Sequence, residues 1–160
     1  MRIFVIVLVA SLFFSCAPKE VADPGPTSVE LAQGLYNAFA EGDMETVMAG
    51  MADNIEWNEA ENFIYGGQYI GKDAVVQGVF ARIGQEWEYW NLVDMTINAV
   101  EDDKVLAQGR YQAKNNANGA TINAQFAHYW EFTDGLVSKF QQYVDTKQVA
   151  DVVAMAAPEE

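Results

Sequence analysis

The chain has 160 residues, half of them hydrophobic, and a formal net charge of −14 from 9 basic and 23 acidic side chains. That length suits one domain with a sizeable buried core, and such an apolar share suits a globular chain. The acidity repels phosphate backbones and anionic head groups, which excludes nucleic acid as a partner. One cysteine and one histidine leave too few ligands for a zinc site, so neither a metal nor a cofactor is expected.

Met1-Arg2 supplies a positive charge, Ile3 to Phe14 is apolar except for Ser11, and Ser15-Cys16 follows. This is the layout of a signal peptide over residues 1–15, and the run is shorter than the roughly 20 residues a spanning helix needs. Cys16 at the cleavage point resembles the lipobox of bacterial lipoproteins, with Phe13 where the usual leucine stands. The resemblance implies lipidation of Cys16 and a domain anchored to a bacterial envelope membrane, periplasmic or surface-facing. An ordinary signal peptide and an uncleaved anchor remain the alternatives. Residues 16–27, with three prolines and a glycine in Ala17 to Thr27, read as an extended tether.

The folded domain is expected over residues 28–157. Thr27-Ser28-Val29-Glu30 is a capping-box pattern, and Leu31, Leu35, Ala38 and Phe39 then form one helical stripe. Gly42 stops that helix. Asp43 can cap a second, carrying Met44, Val47, Met48 and Met51. Asp53 to Glu59 alternates as a strand, with Ile55, Trp57 and Glu59 on one side. A Gly- and Tyr-rich loop follows, then a helix capped by Asp73 and closed by Gly84. Four strands come next: Tyr89 to Val100, with Val93, Met95, Ile97 and Ala99 on one face; Lys104 to Lys114; Thr121 to Thr133; and Leu136 to Val144. Asp134-Gly135 is a hairpin signal. A helix over Thr146 to Ala156 ends the domain, with Asp145 as its cap. Helices followed by a strand meander give an α+β class: a curved antiparallel sheet, cone-shaped, with helices over its concave face. Such a cone would enclose a pocket of about a few hundred Å³.

Three stretches resemble the SnoaL-like, ketosteroid-isomerase-related branch of the nuclear transport factor 2-like superfamily. They are Ala40-Glu41-Gly42-Asp43 with Ala52 to Trp57, Tyr65 to Val75, and Ala127 to Gly135 with Gln142 to Thr146. The resemblance covers Ser28 to Ala154. It implies the cone fold, a small apolar or aromatic carbonyl-type ligand, and a homodimer. It also admits acid–base chemistry of the isomerase or cyclase kind. The fold alone does not settle activity, since it carries enzymes and non-enzymes alike. The alternative is a non-catalytic binding or dimerisation module of the cell envelope.

Two residues carry the chemistry. On the strand Thr121 to Thr133, His128 shares a face with Phe126 and Trp130, in a dry setting where an imidazole can donate to a ligand oxygen. The resemblance places it where related isomerases keep an oxyanion-hole acid; the bland alternative is a structural histidine bonded to backbone or a tyrosine oxygen. Glu59 falls where the resemblance puts a general base. Burial beside Trp57 would raise its pKa as a base near neutrality requires; the bland alternative is a solvent-facing acid. The first-helix position of a second oxyanion donor carries Leu35, with Tyr36 beside it on another face. Gln142 stands where related chains often have a glutamate. Trp57, Tyr36, Tyr65, Phe126, Trp130 and Gln142 are the expected ligand contacts.

Overall fold

A computed structural model describes residues 25–155. Cys16, the leader and most of the tether therefore lie outside the described residues, as does the end of the domain beyond Met155. None of the described helices is long and apolar enough to cross a membrane.

Helix α1 spans Ser28–Glu41. Its capping box is formed: the Glu30 amide donates to Thr27 Oγ1 at 3.3 Å, and the Thr27 amide donates to Glu30 Oε2 at 2.8 Å. Gly42 ends it in the left-handed region at φ 74°, which costs a glycine nothing. Asp43 caps α2 (Met44–Ala49) by accepting from the Thr46 amide at 3.0 Å. Strand β1 (Met51–Glu59) turns back into β2 (Gly67–Ile70). A rod of three pieces follows: α3 (Lys72–Val75), a π-helical turn over Val76–Phe80, and α4 (Ala81–Glu86). Strands β3 (Trp87–Glu101), β4 (Lys104–Asn115), β5 (Thr121–Thr133) and β6 (Leu136–Val144) form the meander, and α5 (Thr146–Ala154) is the last described element.

The six strands make one curved, unclosed sheet in the order β2-β1-β6-β5-β4-β3. The expected meander is therefore only part of it. Strand β1 inserts beside β6 and pairs with it in parallel, so Trp57 lies opposite Phe140. Their rings stack with centroids 3.7 Å apart. This pairing carries the front end of the chain onto the sheet built by its last third, and it places Glu59 in the same layer as the inward side chains of β5 and β6. The core fills the concave side, beneath α1 and the α3–α4 rod.

Several local expectations are corrected. Met51 begins β1 rather than ending α2, because Gly50 has already closed that helix. The Gly- and Tyr-rich loop contains an edge strand, β2, paired with β1 from Glu56↔Ile70 to Glu59↔Gly67. Asp73 does not cap the rod; Gly71 stands at the cap without a side-chain bond, and the rod runs through Gly84 to Glu86. Asp94 adopts φ 54° and the β3–β4 register shifts between Val93 and Thr96. That bulge puts Val93 opposite Arg110, while Ile97 pairs with inward-facing Ala107, so the single face from Val93 to Ala99 is broken. Asp145 does cap α5, accepting from the Gln148 amide at 3.2 Å.

Candidate functional site

The site is assembled from alternate residues of four adjacent strands and one helix. On β5, every second residue from Ile122 to Phe132 is buried, and His128 belongs to that row. Its β4 neighbour in register is Ala107 and its β6 neighbour is Gln142. The small Ala107 and then Gly109 leave the floor beside His128 open, so Phe126 lies over Gly109. Tyr111, two residues further along the same face of β4, stacks on Phe126 and extends to His128.

Both ring nitrogens of His128 are engaged. Nδ1 meets the Tyr36 hydroxyl at 2.7 Å and Nε2 meets the Tyr111 hydroxyl at 2.5 Å. Trp130 donates its indole N–H to the Tyr36 oxygen at 2.8 Å. Gln142 donates its amide to the Tyr111 oxygen at 3.1 Å and accepts the Ala60 N–H through Oε1 at 3.3 Å, which fixes the way round its amide lies. Burial holds the His128 pKa down to about 3, so the imidazole is neutral at ordinary pH. Burial likewise pushes both tyrosine hydroxyls well above their ordinary value, and the nearby Glu59 carboxylate adds to that effect at Tyr111.

The two contacts flanking the imidazole need two hydrogens. Three are available, one from each phenol and one from the neutral ring. The hydroxyls already accept from Trp130 and Gln142. One phenol hydrogen is therefore surplus, on Tyr36 if Nδ1 carries the ring proton and on Tyr111 if Nε2 does.

Glu59 supplies the complementary end. It is the final residue of β1 and is buried. Trp57 donates its indole N–H to Oε1 at 2.6 Å. Oε2 is, among the described residues, the one buried side-chain polar atom without a hydrogen-bond partner. Burial, partly offset by the Trp57 bond, pushes the Glu59 pKa up to about 7. The base and the phenol–imidazole chain line one cavity, whose walls are otherwise apolar and aromatic, Leu35, Phe140 and Trp90 among them. Its volume is about 60 Å³, room for about two water molecules and well below the expected few hundred.

The structure thus brings Glu59, His128, Trp57, Tyr36, Trp130 and Gln142 to one cavity. Tyr36 and Leu35, neighbours about 100° apart on α1, both reach it. Two expected contacts lie outside its lining. Tyr65 turns away and donates to Glu86 Oε2 at 2.8 Å while accepting from Trp87, tying the β1–β2 connection to the rod. Phe126 is covered by the Tyr111 and His128 rings stacked on it at 4.4 and 4.3 Å. The histidine's role also changes. With both nitrogens bonded to phenols it takes the tyrosine-bonded form, and its ring still lines the cavity. Tyr111 was missed in the sequence. It stands at an odd-numbered position of β4 with Val105, Ala107 and Ala113, so strand alternation already placed a hydroxyl on the inward face.

The SnoaL-like domain model matches residues 32–140. The chain belongs to the SnoaL-like domain family. Among solved structures, it is similar to a nuclear transport factor 2-like protein from Burkholderia thailandensis. The identity is 29%, with 81% of this chain and 98% of that one covered, at a TM-score of 0.76. A second such protein, of unknown function, from Burkholderia pseudomallei, has 19% identity, coverage of 81% and 98%, and a TM-score of 0.73. The protein TerC, co-crystallised with polyporic acid, has 21% identity, coverage of 79% and 98%, and a TM-score of 0.70. No curated protein matches the chain. The SnoaL-like model spans α1 through most of β6 and so contains Tyr36, Glu59, Tyr111 and His128, while Gln142 lies two residues past its end.

Proposed function

We propose that this SnoaL-like domain binds a small carbonyl-type ligand in its cone and moves a proton on it. The observation that carries this is the pairing of a partnerless carboxylate oxygen with a surplus phenol hydrogen in one apolar cavity. A carbonyl oxygen would accept the tyrosine hydrogen, which stabilises the charge that develops on enolisation. The ionised Glu59 would take the proton from the adjacent carbon and return it to the same or a conjugated carbon. The proton lost by carbon is gained by Oε2, and no other reactant is needed. A Glu59 pKa near 7 leaves both protonation states populated at neutral pH, as a base that must also release its proton requires. TerC's polyporic acid supports the view that an oxygenated organic molecule can reside in this fold.

The test is isomerisation of a short β,γ-unsaturated methyl ketone, pent-4-en-2-one, to its conjugated isomer, followed by NMR. Wild type should catalyse it and Glu59→Gln should not, while Glu59→Gln still binds the ketone. Absence of turnover with binding retained would leave a binding module; absence of both would end the ligand reading.

We further infer that the domain is held at a bacterial envelope membrane through lipidated Cys16, the tether spanning to Thr27. Cys16→Ser should abolish labelling by a fatty-acid analogue and release the protein from membranes. Retention of the variant on membranes would point to an uncleaved leader instead. A homodimer would use the outer sheet face, where Arg110 and exposed Tyr143 lie; sedimentation equilibrium tests it.

A further inference from the structure

Next to the cone is a larger groove of about 500 Å³, bounded by α2, the rod and the start of β3. Met44 and Met48 form one wall, and Val76, Trp87 and Gly84 contribute to the other. Four residues, Phe39, Phe80, Ile83 and Trp90, line both the groove and the inner cavity. These four shared residues stand between the two spaces. Phe39 and Phe80 meet across it with ring centroids 6.0 Å apart. Phe80 is the last residue of the π-helical turn, a local widening that often accompanies a functional site. One charged side chain borders the groove, Glu88, and Lys114 neutralises it at 2.6 Å.

Size decides what these spaces can hold. The inner cavity, about 60 Å³, takes an oxygen-bearing group of only a few heavy atoms. Ligand pockets usually run to about 300–1,000 Å³, and the groove falls in that range. A molecule larger than those few heavy atoms that reaches Glu59 and a tyrosine hydroxyl would extend past Phe39 and Phe80 into the groove. Its outer part meets methionine, valine and tryptophan, with no free charge among the groove's lining residues.

We propose that the groove is the tail compartment of the same site, and that the ligand is an elongated amphipathic molecule. Its short carbonyl head enters the cone between Phe39 and Phe80, and its apolar tail lies along Met44, Met48 and Trp87. The inference rests on the proposed ligand-binding role of the cone and adds the shape and polarity of the ligand. Methionine walls suit such a tail, because their unbranched side chains adapt to irregular apolar shapes.

The test is a series of straight-chain methyl ketones, from butanone to nonanone, added to the full-length protein. Binding is read from the indole N–H resonances of Trp57 and Trp130. Affinity should rise roughly threefold to fourfold per methylene until the groove is filled. Gly84→Trp is the blocking variant. A Cβ there meets no heavy atom within 4 Å, and Gly84 borders the groove without lining the inner cavity, so the indole is added at the groove rim, away from the cone. It should flatten the chain-length dependence and leave butanone binding unchanged. Met48→Glu, checked for an unchanged melting temperature, should do the same. Butanone binding with no gain from longer chains overturns the tail compartment while sparing the cone. An equal loss for all ketones in Gly84→Trp overturns it too, as does a change of oligomeric state in that variant with the ketone series unaffected. Failure of every ketone to bind overturns both compartments together.

Discussion

Trp57 donates its indole N–H to Oε1 of Glu59 at 2.6 Å, two residues along the same face of β1. One strand thus supplies both the base and the group that orients it, and Oε2 is left without a hydrogen-bond partner in a residue that lines the cavity. The bond favours the ionised carboxylate while burial disfavours it, and burial is the larger effect.

Trp57→Phe should keep the strand and the stacked ring against Phe140 but delete that bond. The Glu59 pKa should then rise above about 7 by roughly one to two units, since a hydrogen bond to a charged group is worth about 1.5–3 kcal/mol. Carbon-13 NMR of the labelled carboxyl group measures it. An unchanged or lower titration midpoint would mean that the bond does not tune the base.

Glu59 should make the fold less stable as pH rises. Its folded pKa of about 7 lies above the ordinary 4.5, so the native state binds more protons across that window. The associated stability is fully present below 4.5 and is lost as pH rises through about 7. Glu59→Gln removes the loss, and should be more stable than wild type at pH about 8 by roughly 1–3 kcal/mol. Urea denaturation of the two proteins at both ends of the window checks the sign.

His128 should act in the opposite direction. Its folded pKa of about 3 lies below the ordinary 6.5, so its stability is present above 6.5 and is lost as pH falls through about 3. His128→Phe removes that acid sensitivity. It also strands the Tyr36 and Tyr111 hydroxyls without their imidazole partner, and should cost about 3 kcal/mol or more near neutral pH. Thermal melts across the acid range should show lower stability at neutrality and a flatter acid limb. A neutral-pH stability equal to wild type would mean that the phenols find other partners.

Two glycines of one rod should respond in opposite ways. An added Cβ at Gly84 meets nothing within 4 Å, so Gly84→Ala should stabilise by about 0.5–1 kcal/mol through helix propensity. At Gly78 the Cβ would stand 2.1 Å from the Tyr69 ring, which is anchored by its hydroxyl donating to the Tyr65 carbonyl at 2.7 Å. Gly78→Ala should therefore displace Tyr69 and lower the melting temperature. Similar shifts in both variants would mean the ring is free to move.

The local elements are legible along the chain, because their signals are local. The capping box at Thr27, the caps at Asp43 and Asp145, the Asp134-Gly135 turn and the period-two rows of β5 and β6 each depend on residues a few positions apart. Alternation likewise turned Glu59 and His128 inward. Tertiary structure decided what those side chains meet. The parallel β1–β6 pairing joins segments some eighty residues apart and brings Glu59 to the sheet face that carries His128. The two phenols on His128 come from α1 and β4, and no spacing in the chain encodes their convergence. The bulge at Asp94 reversed one residue's facing where alternation alone predicted a single row. Cavity size was set last, by how many aromatic rings the concave face had to pack. That quantity belongs to the whole core rather than to any segment of it.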